Sequence, residues 1–261
     1  MEILNFTIDE LERWFLMLFR IGSMLMVMPV FGYNSIPALA RIAVAFLVTS
    51  VLFPMHPEMQ LTLMPGVLEF FAVIIREVFI GLSIGLVTIF IFTGVQFAGY
   101  IMGHSMGFSM INTIDPMSEQ NMPLLGQILT MLALVIFLMM DGHHFLLMAV
   151  DESFVQIPIG TGALSDKAIQ GFAMLSADIF NIGIKLAAPV LVTILVSEVA
   201  LGIVARTVPQ MNVWIIGFPL KIMVGLVTLS LALPMIVYVF QKVYRGWQGD
   251  VIDFIRALVN T

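Results

Sequence analysis

Few side chains in this sequence have the types and spacing to do chemistry. Asp141-Gly142-His143-His144 carries an oxygen and two imidazole donors, the ligand set of a transition-metal site. Neighbouring residues on a helix project about 100° apart, however, and paired helical ligands stand at i and i+4. His56 and His104 are the remaining histidines, and neither has a second motif partner. The spacing therefore favours a polar helix cap or loop contact, and no metal and no cofactor are expected. No Ser-His-Asp order, Gly-rich phosphate loop or acid pair can be assembled, so no catalytic residue is assigned. Lys185, Glu198, Arg206 and Lys221 lie in or beside apolar stretches, where ionisable groups are costly and face protein or a water-filled cavity. Glu198 and Arg206 stand two turns apart, sharing a face without touching. Interhelical or intersubunit ion pairs are the expected use of this set, with a transporter-like proton relay as the alternative.

Residues 99–123 form a second distinctive stretch. Gly99, Gly103 and Gly107 recur every four residues, with Met102, Met106 and Met110 one position earlier. Small residues at this spacing let two helices approach backbone to backbone, and Gly81 and Gly85 repeat the pattern upstream. Asn112, Asp115-Pro116 and Pro123 are turn formers, so the helix is expected to end after Met110. Met117 and Met122 then lie in a polar loop without basic residues. Met is unbranched and adaptable, and such a loop suits either plain solvent exposure or a deformable plug that seals a pore.

The elements that position these residues follow from composition. The chain has 261 residues, is 60% hydrophobic and only 11% charged, and carries 21 Met and no Cys. Soluble domains carry about 25% charged residues. With a mean hydropathy of +1.06, this chain cannot cover a globular exterior with polar groups. Soluble enzymes and disulfide-stapled domains are excluded, and a net charge of −6 without a basic patch excludes nucleic acid as a partner. An acidic N-terminal stretch (Glu2, Asp9, Glu10, Glu12) lacks the basic region of a signal peptide, and Thr7 or Asp9 suits a helix cap.

Charge-free runs then predict an all-α membrane protein of about six long, kinked apolar helices at 11–31, 38–55, 67–98, 124–148, 168–205 and 213–240. Two exceed a bilayer, reaching about 48 and 57 Å at about 1.5 Å per residue, and Pro189 is placed to kink the second. The acidic N-terminal end and the basic C-terminal end (Lys242, Arg245, Arg256) call for opposite sides of a membrane, which an even count of spans cannot satisfy. The chain is expected to be one membrane-embedded unit: hairpins over about 10–98, the Met/Gly segment 99–123, hairpins over 124–240, and a tail 241–261. In the tail, Val243, Trp247, Val251, Phe254 and Leu258 share one helical face. That amphipathic helix suits a membrane surface or a partner's groove.

The stretch from Arg206 to Lys221, RTVPQMNVWIIGFPLK, reads as a tight helical hairpin with a polar tip at Arg206, Pro209, Gln210 and Asn212. Taken with PVFGYNSIPALAR from Pro29, Arg76-Glu77 followed by Gly81 and Gly85, and DGHH from Asp141, it resembles the FliR family of flagellar type III export-gate proteins, over about residues 10–245. The resemblance implies a non-enzymatic inner-membrane subunit at the flagellar basal body. One copy would complete a helical gate with FliP and FliQ homologues, with an FlhB homologue wrapped around its base. Unfolded subunits would pass through it, driven by the proton motive force and a separate ATPase. It also implies a plug at about 106–122, for which Met106, Phe108, Met110, Met117 and Met122 are the candidates. Lys185, Glu198 and Lys221 would make intersubunit polar contacts. The injectisome branch is the near alternative. A small-solute transporter would show internal repeats, which are not evident here, and a metalloenzyme would centre on His143 and His144.

Overall fold

The computed structural model describes residues 7–32, 36–57, 66–108, 124–161, 165–208, 210 and 213–259, with no side-chain description at 211–214. Every regular element among them is helical: α1 (Ile8–Val27), α2 (Ala38–Leu52) running into a 3-10 turn (Phe53–Met55), α3 (Val67–Met106), α4 (Leu124–Met139), α5 (Gly142–Gln156), α6 (Asp166–Thr207) and α7 (Val213–Val259). At about 1.5 Å per residue, α3, α6 and α7 are about 60–70 Å long, roughly twice the hydrocarbon thickness. Pro189 lies inside α6, and Pro219 and Pro234 inside α7.

Three boundaries differ from the sequence expectation. The helix anticipated over 124–148 is two helices, because Asp141 takes a left-handed backbone (φ 56°) that no α-helix continues through. The helix anticipated to stop at 98 and then at Met110 ends at Met106. The tail expected to start at 241 is the unbroken continuation of α7. Among the described residues four helices are long and apolar enough to cross a membrane (α2 with its 3-10 turn, α3, α6, α7), or five if α4 and α5 make one broken span. That replaces the expected six. The helix α1 drops out because Asp9, Glu10, Glu12, Arg13 and Arg20 interrupt it.

Thr7 caps α1. Its hydroxyl accepts from the Glu10 N–H at 3.3 Å, and its own N–H donates back to the Glu10 carboxylate at 2.8 Å. That backbone bond, with the side-chain bond second, holds the Glu10 carboxyl below the usual carboxylate range.

The chain falls into two compact units, each assembled from separated stretches. The first comprises Met1–Phe90, Met140–Leu175 and Gly246–Thr261. Its buried side chains are Leu16, Ile21 and Met24 of α1, Ile80 and Ile84 of α3, Leu146, Val150 and Phe154 of α5, and Trp247, Val251, Phe254 and Leu258 of α7. The second comprises Ile91–Met139 and Ser176–Arg245. It buries Val95, Ala98 and Met102 of α3, Leu129, Ala133 and Phe137 of α4, Leu186, Ala187 and Val190 of α6, and Phe240 and Tyr244 of α7.

The end of α7 corrects a further expectation. Its apolar face is covered by the chain itself and not by lipid or a partner groove. Trp247 meets Phe145 of α5 edge-on at 5.2 Å, and Phe254 meets Phe172 of α6 at 4.6 Å. Ser165, which caps α6 by accepting the Ala168 N–H, donates its hydroxyl to the Ala257 carbonyl at 2.5 Å.

Apolar exposure is concentrated elsewhere. In α2 only Ala45 and Thr49 are buried, leaving Leu39, Phe46, Leu47 and Val51 open. In α6 an exposed run holds Val192, Leu195, Val196, Val199 and Ile203, and in α7 Ile215, Met223, Val227 and Leu231 are exposed. Surfaces of this size and character require lipid or other protein.

Candidate functional site

The centre of the first unit is an ion pair with no exposed surface. Arg20 projects from the inward face of α1, and its Nε donates to the Glu77 carboxylate of α3 at 2.6 Å. One Nη donates to the carbonyl and hydroxyl of Ser153, at 2.9 and 3.2 Å, and the other to the Ile157 carbonyl at 3.1 Å. These carbonyls belong to the last turn of α5 and the residue beyond it, where a helix has acceptors to spare. The guanidinium lies over the Phe154 ring at 4.4 Å. The second Glu77 oxygen accepts the Gly160 N–H at 2.9 Å, and Arg76 donates to the Gly160 carbonyl at 3.0 Å. Three helices thus meet on one salt bridge whose donors and acceptors are used.

The paired glycines of α3 make that approach possible. A Cβ on Gly81 would run into the Arg20 carbonyl and the Ser23 hydroxyl. One on Gly85 would lie 3.0 Å from Val27 Cβ and 3.1 Å from the Met24 carbonyl. The sequence pattern anticipated a smooth face at these positions, and the structure identifies α1 as what lies against it. Arg20 itself went unrecognised. A lone arginine in an otherwise charge-free stretch from 14 to 32 was the available signal.

In the second unit, Gly99 lies against the Gly126 backbone of α4, where a Cβ would collide with it, and Gly103 faces Leu125 at 3.8 Å. Gly107 leaves the stripe. With φ 92° it ends α3: its N–H bonds the His104 carbonyl at 3.1 Å, and Phe108 N–H bonds the Gly103 carbonyl at 3.0 Å. This is a Schellman motif with glycine at the left-handed position, which stops the helix a turn before Met110. Met106 is fully buried, its thioether against Gly225 of α7, and Phe108 is half-buried beyond the turn. Met110, Met117 and Met122 lie outside the described residues, as do Pro209 and Asn212.

Lys221 of α7 donates to Glu198 of α6 at 2.5 Å. Their side chains, 21% and 49% exposed respectively, sit at the lip of a cavity of about 350 Å³ lined by Leu201, Gly202, Ala205, Gly217 and Phe218. Gly202 faces open space, and a Cβ there would meet nothing within 4 Å. Arg206 and Gln210 are exposed at the turn between these helices. Lys185 is exposed on α6 and has no ion-pair partner among the described residues. At the start of α5, the Asp141 carboxylate stands 3.4 Å from Nδ1 of His144, its one ion-pair partner among the described residues. The His143 and His144 rings lie 4.3 Å apart.

Apolar helices twice the thickness of a bilayer, wide uncovered apolar faces and an internal ion pair define an all-α membrane-type protein built to be surrounded. The sequence comparisons specify it further. Residues 11–246 match the family model of the bacterial export proteins, family 1. The chain is 34% identical to the flagellar biosynthetic protein FliR of Bacillus subtilis (strain 168), with 92% of this chain and 93% of the relative covered. It is 31% identical to FliR of Escherichia coli (strain K12), over 95% and 94%, and 32% identical to FliR of Caulobacter vibrioides, over 87% and 90%. The chain belongs to this family of bacterial export proteins, the FliR flagellar biosynthetic proteins.

Proposed function

We propose that the chain is a structural and gating subunit of the flagellar protein export channel in the bacterial inner membrane, catalysing no reaction of its own. The observation that carries this reading is the family match along nearly the whole chain, in a protein whose α2, α6 and α7 leave long apolar faces uncovered. Those faces suit neighbouring FliP and FliQ homologues as well as lipid, with an FlhB homologue at the base of the gate and unfolded flagellar subunits as cargo. The flagellar branch, in preference to the injectisome branch, is favoured by the names of the relatives. Counting α4 and α5 as one broken span gives five crossings, an odd number, which fits an outward N-terminal end and a cytoplasmic C-terminal end.

Pore sealing is assigned to the segment that follows α3. Met106 and the Gly107 turn hold its root, and Phe108, Met110, Met117 and Met122 supply deformable apolar side chains. Lys185, Glu198, Lys221, Arg206, Pro209, Gln210 and Asn212 would make polar contacts with neighbouring subunits. The deciding experiment is co-purification with FliP and FliQ homologues. A stable complex holding one copy of this chain is the expected outcome, and a self-sufficient monomer or dimer that ignores them would overturn the reading.

A further inference from the structure

We propose that Asp141, His143 and His144 bind a divalent first-row transition cation of the zinc class. His143 and His144 are neighbours in the first turn of α5, and Asp141 stands just outside that helix. Asp141 is the one non-glycine residue with a positive φ among the described residues, and it stands immediately ahead of the first turn of α5. That left-handed residue lets donors at 141, 143 and 144 converge. One carboxylate oxygen and two imidazole nitrogens lie within 4.8 Å of one another. A tetrahedral zinc ion with nitrogen and oxygen ligands at about 2.0–2.2 Å holds its donors about 3.3–3.5 Å apart. The His144 Nδ1 to Asp141 Oδ1 distance of 3.4 Å already matches that spacing.

Two further observations point to a ligand. Nδ1 of His143 is shielded from solvent and has no hydrogen-bond partner among the described residues, an unusual state for a buried polar atom. Its ring lies against that of His144, with centroids 4.3 Å apart and planes tilted by 32°. Each imidazole has one ring-nitrogen lone pair to offer, so two adjacent rings can serve one cation together. No Lys or Arg pairs with Asp141 among the described residues, so its carboxylate is free to offset the unfavourable field that a helix N-terminus exerts on a cation. A backbone held in a sparsely populated conformation is a recurrent mark of a ligand site. Three protein donors leave one tetrahedral position open. The bound ion would fasten the beginning of α5, the helix whose other end is held by Arg20.

The test uses the full chain, purified in detergent through an affinity tag free of histidine, stripped with chelator and titrated with zinc alone against a competing indicator. One zinc per chain is expected, with affinity falling at least tenfold in His144→Ala and in Asp141→Asn. Asparagine tolerates the left-handed backbone, so the second variant keeps the fold if the first does not, and helix content by circular dichroism checks both. Cobalt in place of zinc should give the visible absorption bands of a nitrogen- and oxygen-ligated site, absent from the variants. His56→Ala should bind as the parent does. No bound zinc in the parent, equal affinity in parent and variants, or loss in His56→Ala alone would each overturn the proposal.

Discussion

Arg20 and Glu77, 57 positions apart in sequence, meet at 2.6 Å with neither side chain reaching solvent. Removing one partner of such a pair strands a buried charge, at a cost of about 3–5 kcal/mol, while replacing both with apolar side chains is far less harmful. Glu77→Leu and Arg20→Met should each lower the unfolding temperature of the purified chain sharply. The double variant Arg20→Met/Glu77→Leu should be more stable than the sum of its parts, as a double-mutant cycle would reveal. Additive losses would mean that the two residues act separately.

Gly81→Ala should destabilise by about 1–3 kcal/mol, because its Cβ meets rigid backbone at Arg20. Gly202→Ala should leave the isolated chain as stable or more so, by up to about 1 kcal/mol, since nothing is near that position and alanine favours helix. If neighbouring subunits enter the cavity beside Gly202, the same substitution should impair assembly. Comparing melting of the chain with yield of the complex separates the two effects.

Glu198→Ala should cost the isolated chain no more than about 1 kcal/mol, as befits a partly exposed ion pair. A larger loss is expected in the yield of complex with FliP and FliQ homologues, and exchanging the charges (Glu198→Lys with Lys221→Glu) should restore the chain but not the complex. Full recovery of both would confine the pair's role to this chain.

Deleting residues 110–121 should leave assembly intact and make the channel conduct ions in a membrane-potential assay. Unchanged permeability in an assembled complex would refute the plug assignment.

Trp247→Ala should destabilise by about 3–5 kcal/mol, since it empties a fully enclosed site against Phe145. Increased protease cleavage between α5 and α6 would report it.

Class and fold were readable because scarcity of charge and long apolar runs act over the whole chain and need no tertiary detail. Partners of individual faces were not. Gly81 and Gly85 announced a close approach, but α1 as the neighbour depends on long-range packing that no local pattern encodes. The same holds for the apolar stripe of Trp247, Val251, Phe254 and Leu258: its periodicity fixed which side is buried and left open what buries it. Gly107 continued a four-residue rhythm, yet glycine serves equally as a stripe member and as a left-handed helix end, and the second use prevails. Asp141 carried too little signal, because a single residue with a left-handed backbone breaks a helix without altering hydropathy.

The last part of α7 is made by the ribosome after every helix it packs against. Until it arrives, Phe145 and Phe172 have no covering for the faces that Trp247 and Phe254 will occupy, and the Ser165 hydroxyl has no Ala257 carbonyl to meet. Translation therefore leaves the first unit open from its earliest helix until residues 246–261 emerge. A chain stalled before that point keeps an unfilled apolar slot. The side chains that close the first unit are thus the last of its residues to be joined to the chain, although Phe145 and Phe172 are in place long before.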